Sequence, residues 1–269
     1  MDAAPSLPYD THEPLGLSTG PASAPVRWPA LRASRFEFTS RGDRVPGRLL
    51  LPPKGDGPFP TILLQHGAGG SKQSDYIEYA AGPWVQRGAA VASIDFPLHG
   101  ERASAKLSER LVGGIRGFAT QGADAAALIH EFFRQAVSDL RRTVDALERL
   151  PQADVGRLGY ASFSMGTLVG ASFWGVDRRP RAAAFAIGGG GVGPPDIDPA
   201  RTIAGFAPRP ALFLNTTRDE IFPRAMALAL FDGCGEPKQQ LWFEGTHRGL
   251  PGAAMKAIWL FLQRHLEIP

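Results

Sequence analysis

The chain has 269 residues, 43% of them hydrophobic, which is enough for one large domain with a well-buried core. Its formal net charge is only +3, from 29 basic and 26 acidic residues, with no run of Lys or Arg and no basic helix face interleaved with aromatics, so a nucleic-acid partner is not expected. The one cysteine, Cys234, excludes an intrachain disulfide, no Cys/His cluster has metal-site spacing, and no stretch approaches the ~18 apolar residues of a membrane span.

Residues 1–30 are rich in Pro, Ala, Ser and Gly and read as a flexible or extended arm, given over to disorder or to a subunit contact that leaves a homo-oligomer open. The start lacks a basic and then apolar leader, so a cytoplasmic location is expected. Residues 31–269 read as one domain. RFEFTS (from Arg35) and VPGRLLLP (from Val45) flank a turn at Arg41-Gly42-Asp43-Arg44 and predict an antiparallel hairpin. The apolar run over residues 61–65 predicts a strand covered on both faces, followed by a polar, Gly-rich loop over 66–71. Residues 76–87 have helical spacing, with a kink or broken start expected at Gly82-Pro83. AAVASIDFP (from Ala89) is the next buried strand. A long amphipathic helix is expected over residues 125–150, stopped by Pro151. VGRLGYAS (from Val155) predicts a strand running into SFSMGT and a further helix through Leu168 and Trp174. RAAAFAIGG, RPALFLNTT and KQQLWFEGT predict three more strands, with helices over 226–231 and 253–266. Strands alternating with helices imply right-handed crossovers and a mostly parallel α/β sheet with helices on both faces.

Four segments carry chemistry. Ser162-Phe163-Ser164-Met165-Gly166 lies between a strand and a helix, where a sharp turn can hold a hydroxyl proud of the sheet. The flanking positions must be small because strand and helix approach closely. Gly166 meets this, and Ser162 stands where Gly is usual. The plainer alternative is that Ser164 caps the helix. Gln65-His66-Gly67-Ala68-Gly69-Gly70 follows the strand at 61–65 and can present backbone N–H groups to a developing oxyanion, the expected donors being Ala68 and Met165. It matches neither phosphate-loop pattern, and His66 is read as bonding the loop backbone. Asp219 and His247 each follow a predicted strand, at the end where an open α/β sheet places its site. The order Ser, Asp, His suits a nucleophile, an orienting acid and a general base. Glu220 is the nearest rival for the acid, while Glu244 and Asp232 are less well placed. Cys234 has no Cys–His–Asn pattern around it.

With these residues in view, the chain resembles the α/β-hydrolases, specifically the dienelactone-hydrolase and prolyl-oligopeptidase-related esterases. The hairpin, PTILLQHGAGGSK, VASIDFPLHGER, GYASFSMGT, TRDEIFP and GTH carry the likeness, over about residues 35 to 265. It implies an eight-stranded sheet, a Ser-His-Asp triad, no cofactor and no metal. It also places the loop with His99 and Arg102 beside the pocket, where they would meet substrate, although both equally suit a role in fixing that loop; Gly67 of the Gly-rich loop is a further substrate-binding candidate.

The expected activity is hydrolysis of a small-molecule ester, small or of short acyl chain, in an open site: residues 188–210 are too few for a multi-helix cap, and 103–124, with Leu111, Ile115 and Phe118 among glycines, is the other candidate lid. Amidase, peptidase or acyltransferase chemistry and a non-catalytic binding protein are the alternatives. A dehalogenase or epoxide hydrolase would need Asp in place of Ser164.

Overall fold

The computed structural model describes residues 7, 9–116, 123–205 and 208–269. The strands are β1 (Ser18–Pro21), β2 (Arg32–Ser40), β3 (Asp43–Leu51), β4 (Phe59–Gln65), β5 (Ala90–Ile94), β6 (Ala153–Phe163), β7 (Ala182–Ala186), β8 (Ala211–Arg218) and β9 (Lys238–Thr246). The helices are α1 (Asp75–Gln86), α2 (Ala105–Arg116), α3 (Ala123–Leu147), α4 (Met165–Val176), α5 (Pro199–Thr202), α6 (Arg224–Gly233) and α7 (Gly252–His265).

Among the described residues the strands form one sheet in the order β1-β2-β3-β5-β4-β6-β7-β8-β9. β1, β2, β3 and β5 pair antiparallel, and from β5 across to β9 every pair is parallel. This is the α/β-hydrolase architecture, with nine strands where the resemblance implied eight. The extra strand comes from the segment read as an arm: Ser18–Pro21 pairs with residues 34–37 of β2. Further described residues of that segment are held by polar contacts that leave little trace in its composition. Glu13 accepts the Arg41 and Gly42 N–H groups at 2.9 and 2.8 Å, capping the β2–β3 turn, and Arg142 donates to Glu13 O at 2.8 Å. Arg141 donates to Leu7 O at 2.9 Å and stacks 3.7 Å over the Tyr9 ring.

The turn itself is formed by Arg41 and Gly42, both with positive φ (50° and 80°), as a tight hairpin that follows the right-handed twist of its strands requires. Two cores flank the sheet. One holds Phe36, Leu63, Phe133, Leu140, Leu168 and Phe213 under α2, α3, α4 and α6; the other holds Ile62, Leu64, Ile77, Trp84, Ile258 and Trp259 under α1 and α7. The alternation Ile62, Leu63, Leu64 along β4 feeds both, as a strand buried on both faces must. Helix α1 runs through Pro83 without breaking, and its Gly82 is required: a Cβ there would sit 2.2 Å from the Trp28 indole.

Part of the candidate lid is helix α2, whose Leu111 and Ile115 are buried in the core, so it packs as body rather than as a loose flap. Phe118 lies outside the described residues. Between β7 and β8 the only helix among the described residues is the single turn α5.

The chain reverses its direction of travel across the sheet at β4: β5 lies on one side of it and β6 on the other. A crevice opens at the carboxyl ends of strands at such a switch point.

Candidate active site

Ser164 occupies the one-residue turn between β6 and α4, with φ 54° and ψ −118°. A non-glycine residue held there costs ~1–3 kcal/mol, so the surroundings must hold it. Its N–H donates to Ala186 O at 2.9 Å on the neighbouring strand, and its carbonyl accepts from Thr167 N at 2.8 Å. The close approach expected of the flanks is present. A Cβ on Gly166 would stand 2.7 Å from His66 O, and one on Gly67 would stand 3.1 Å from Ser164 Cβ. Ser162 fits where Gly is usual because its hydroxyl is buried and satisfied: Thr167 Oγ1 donates to Ala186 O at 2.8 Å, leaving it to accept from Ser162 Oγ at 3.2 Å.

Asp219 follows β8 and His247 follows β9. The register between these strands shifts between Thr216 and Arg218, a bulge that redirects the chain just ahead of Asp219. Both side chains are buried. His247 Nδ1 lies 2.9 Å from Asp219 Oδ2 and 3.0 Å from Oδ1, and His247 Nε2 lies 2.9 Å from Ser164 Oγ. The Ile221 and Phe222 N–H groups donate to Asp219 Oδ1 at 2.9 and 2.8 Å and fix the carboxylate. Glu220, the rival acid, turns away from the ring: its carboxylate accepts the His247 backbone N–H at 2.9 Å, and chiefly that bond holds it below its ordinary pKa.

The Gly-rich loop after β4 is held from behind. His66 Nδ1 donates to Gly67 O at 2.8 Å, and its Nε2 accepts the Phe96 N–H at 3.2 Å, which sets the tautomer. Desolvation pushes His66 down to about 4, so it stays neutral. Lys72 seals the end of the loop: its ammonium donates to Asp95 Oδ2 at 2.6 Å and to Glu101 Oε1 at 2.5 Å, and its N–H to Asp95 Oδ1 at 2.8 Å. Sequence reasoning passed over Lys72. A signal was available, since Asp95 ends an otherwise apolar strand and a buried carboxylate needs a buried cation.

A cavity of about 610 Å³ opens above Ser164 and His247, lined also by Ala68, Tyr76, Ile187 and Met255. Ala68 is thus at the site. Met165 begins α4, and a helix's first N–H has no acceptor within the helix. Gly67 lines the cavity too, but its N–H is spoken for by the Tyr76 hydroxyl at 2.8 Å, so its contribution is the space it leaves. His99 does not line this cavity. It is buried against His66, ring centroids 5.2 Å apart, with Nδ1 donating to Pro97 O at 2.9 Å. Arg102 is also taken, by Asp139 at 2.6 Å and Asp43 at 3.1 Å. The loop-fixing reading therefore describes both residues. Cys234 is buried, and desolvation pushes its thiol up to about 11.

Comparison with known proteins agrees with this fold. Against solved structures, the chain superposes on an acetyl xylan esterase from Paenibacillus sp. R4 with a TM-score of 0.75 at 16% identity, over 94% of this chain and 90% of that one. It superposes on a cold-adapted esterase from an Arctic intertidal metagenomic library with a TM-score of 0.70 at 23% identity, over 88% and 94%. Likeness at these identities is likeness of fold. In sequence, 75 residues are 37% identical to the esterase FrsA of Escherichia fergusonii, a match spanning 28% of this chain and 18% of that protein. The acetyl xylan esterase (AXE1) family model matches residues 25–186, more than half of the chain, including the Gly-rich loop and the Ser164 turn. The chain belongs to the acetyl xylan esterase (AXE1) family, a family of carboxylic ester hydrolases.

Proposed function

We propose that the protein is a serine esterase acting on small or short-acyl carboxylic esters, with Ser164 as nucleophile, His247 as general base and Asp219 as the acid that orients it. One observation carries the reading: an unbroken hydrogen-bonded line from Ser164 Oγ through the two nitrogens of His247 to Asp219, opening on a cavity. His247 Nε2 takes the Ser164 proton as Oγ attacks the ester carbonyl. The Ala68 and Met165 N–H groups receive the oxyanion. His247 then gives the proton to the departing alkoxide, leaving an acyl-Ser164. Water attacks that ester with His247 again as base, and Ser164 leaves with its proton restored. Asp219 holds the ring with Nδ1–H toward itself and stabilises the imidazolium formed in each half-reaction.

The small-ester preference is supported by the single-turn α5 between β7 and β8, by α2 packing into the body, and by the acetyl group in the family's description. The test is hydrolysis of p-nitrophenyl esters from acetate to a long acyl chain by wild type and Ser164→Ala. The expected result is short-chain activity that the variant loses. Activity surviving in Ser164→Ala would overturn the assignment.

A further inference from the structure

The phenol of Tyr76 stands in an unusual position at this site. Its ring lies on the first turn of α1, edge-on to Phe163 with centroids 5.6 Å apart, and so beside the residue that precedes Ser164. Its hydroxyl is tucked into the Gly-rich loop: Gly67 N–H donates to it at 2.8 Å, and a Cβ on Gly70 would meet it at 2.6 Å. A phenol has one proton to give, and no described residue accepts it. Tyr76 also lines the cavity that contains Ser164 and His247. A hydroxyl that accepts from the loop, on a residue that lines the cavity, keeps its one proton for whatever the cavity holds.

On the serine-esterase reading above, we propose that Tyr76 is a side-chain donor to the substrate's carbonyl oxygen as it becomes an oxyanion, adding to the backbone donors Ala68 and Met165. The Gly67–Tyr76 bond polarises the phenol in the sense required, because accepting a hydrogen bond and donating one reinforce each other along a chain. Desolvation pushes the phenol up to about 12, so the proton stays in place across the working pH range. The hydroxyl also ties α1 to the loop that carries Ala68, so a purely architectural role must be separated from a donor role.

Two variants do this. Tyr76→Phe removes both the acceptor and the donor. The expected result is a folded protein with kcat lowered about 100-fold, the scale of losing one oxyanion donor, and KM changed by less than about threefold. The second variant carries 3-nitrotyrosine at position 76, whose phenol is far more acidic than tyrosine's and so ionises within an accessible pH range even where burial raises it. Its phenolate accepts the Gly67 N–H more strongly but has no proton to donate. The donor role requires kcat to fall as the nitrophenol ionises, followed by its absorbance. Constant or rising kcat through that ionisation would reduce Tyr76 to a loop anchor and overturn the proposal, as would Tyr76→Phe within about twofold of wild type. Ser164→Ala run alongside separates the two levels: activity surviving there overturns the triad reading and this proposal with it, whereas a dead Ser164→Ala beside an unimpaired Tyr76→Phe overturns this proposal alone.

Discussion

Two loops of this molecule each carry a buried histidine with both ring nitrogens engaged. His66, after β4, is fully buried and His247, after β9, is 6% exposed, so burial does not tell them apart. Their partners do. His66 is bonded to the backbone on both sides, donating to Gly67 O and accepting from Phe96 N–H. These partners cannot ionise, and the surrounding desolvation keeps the ring neutral. His247 lies between a carboxylate and a hydroxyl, one able to stabilise a positive ring and the other able to supply the proton that makes it positive. A histidine is made into a general base by what stands on its two sides, and the same residue between two peptide groups is a strut.

The largest effects should fall on the His247 side. Ser164→Ala and His247→Ala are each expected to lower kcat/KM by about 10⁶-fold, with residual catalysis from the oxyanion donors alone. Urea melts of both should match wild type. Asp219→Asn is expected to cost about 10⁴-fold in kcat by favouring the wrong tautomer. Glu220→Gln, next to it in sequence, keeps an oxygen that can accept the His247 backbone N–H and removes only the charge, so it should cost less than about tenfold. A reversal of that pair in p-nitrophenyl acetate assays would move the acid to Glu220.

The His66 side should answer in stability instead. His66→Ala leaves the Phe96 N–H without its partner and Gly67 O with the Gly70 N–H alone, at about 1–3 kcal/mol, which chemical denaturation would register. The pH dependence has a definite sign. The unfolded ring titrates near 6.5 and the native one near 4, so between those values the unfolded state binds the extra proton. Stability should be level above about pH 6.5 and fall toward pH 4 by up to ~1.4 kcal/mol per unit. His99, lowered by the same desolvation, acts in the same direction. A His66→Gln protein should show a shallower slope in urea midpoints measured from pH 7 to 4.5. The smallest effect is Ser162→Gly, which trades the contact with Thr167 for the usual small residue. It should cost about 1 kcal/mol in stability and leave kcat/KM within about threefold.

Much of this was legible in the sequence because it rests on short-range rules. Apolar runs such as 61–65, the Arg41-Gly42 turn and the strand-to-helix setting of Ser164 depend on neighbours along the chain. The chain order Ser164, Asp219, His247 added a constraint that the separate residues lack. The ninth strand was not legible, because Ser18–Pro21 pairs through backbone groups, and its polar anchors, such as Arg141 to Leu7 O, span long separations in sequence. Helix α2 is hidden by its glycines, although its Leu111 and Ile115 stand out as apolar positions. The helical spacing over residues 76–87 includes Tyr76 but says nothing of its hydroxyl. Its hydroxyl matters because α1 folds back on the loop that precedes it, a contact that periodicity cannot report. The sequence leaves His99 open between pocket and loop for the converse reason: a histidine in a loop near a site gives no sign of which way it packs.

The most direct test of the central claim is covalent. Wild type treated with a fluorophosphonate and digested for mass spectrometry should carry one adduct, on Ser164, with esterase activity lost in proportion to labelling. Full labelling at another residue, or full inactivation with Ser164 unmodified, would contradict the account.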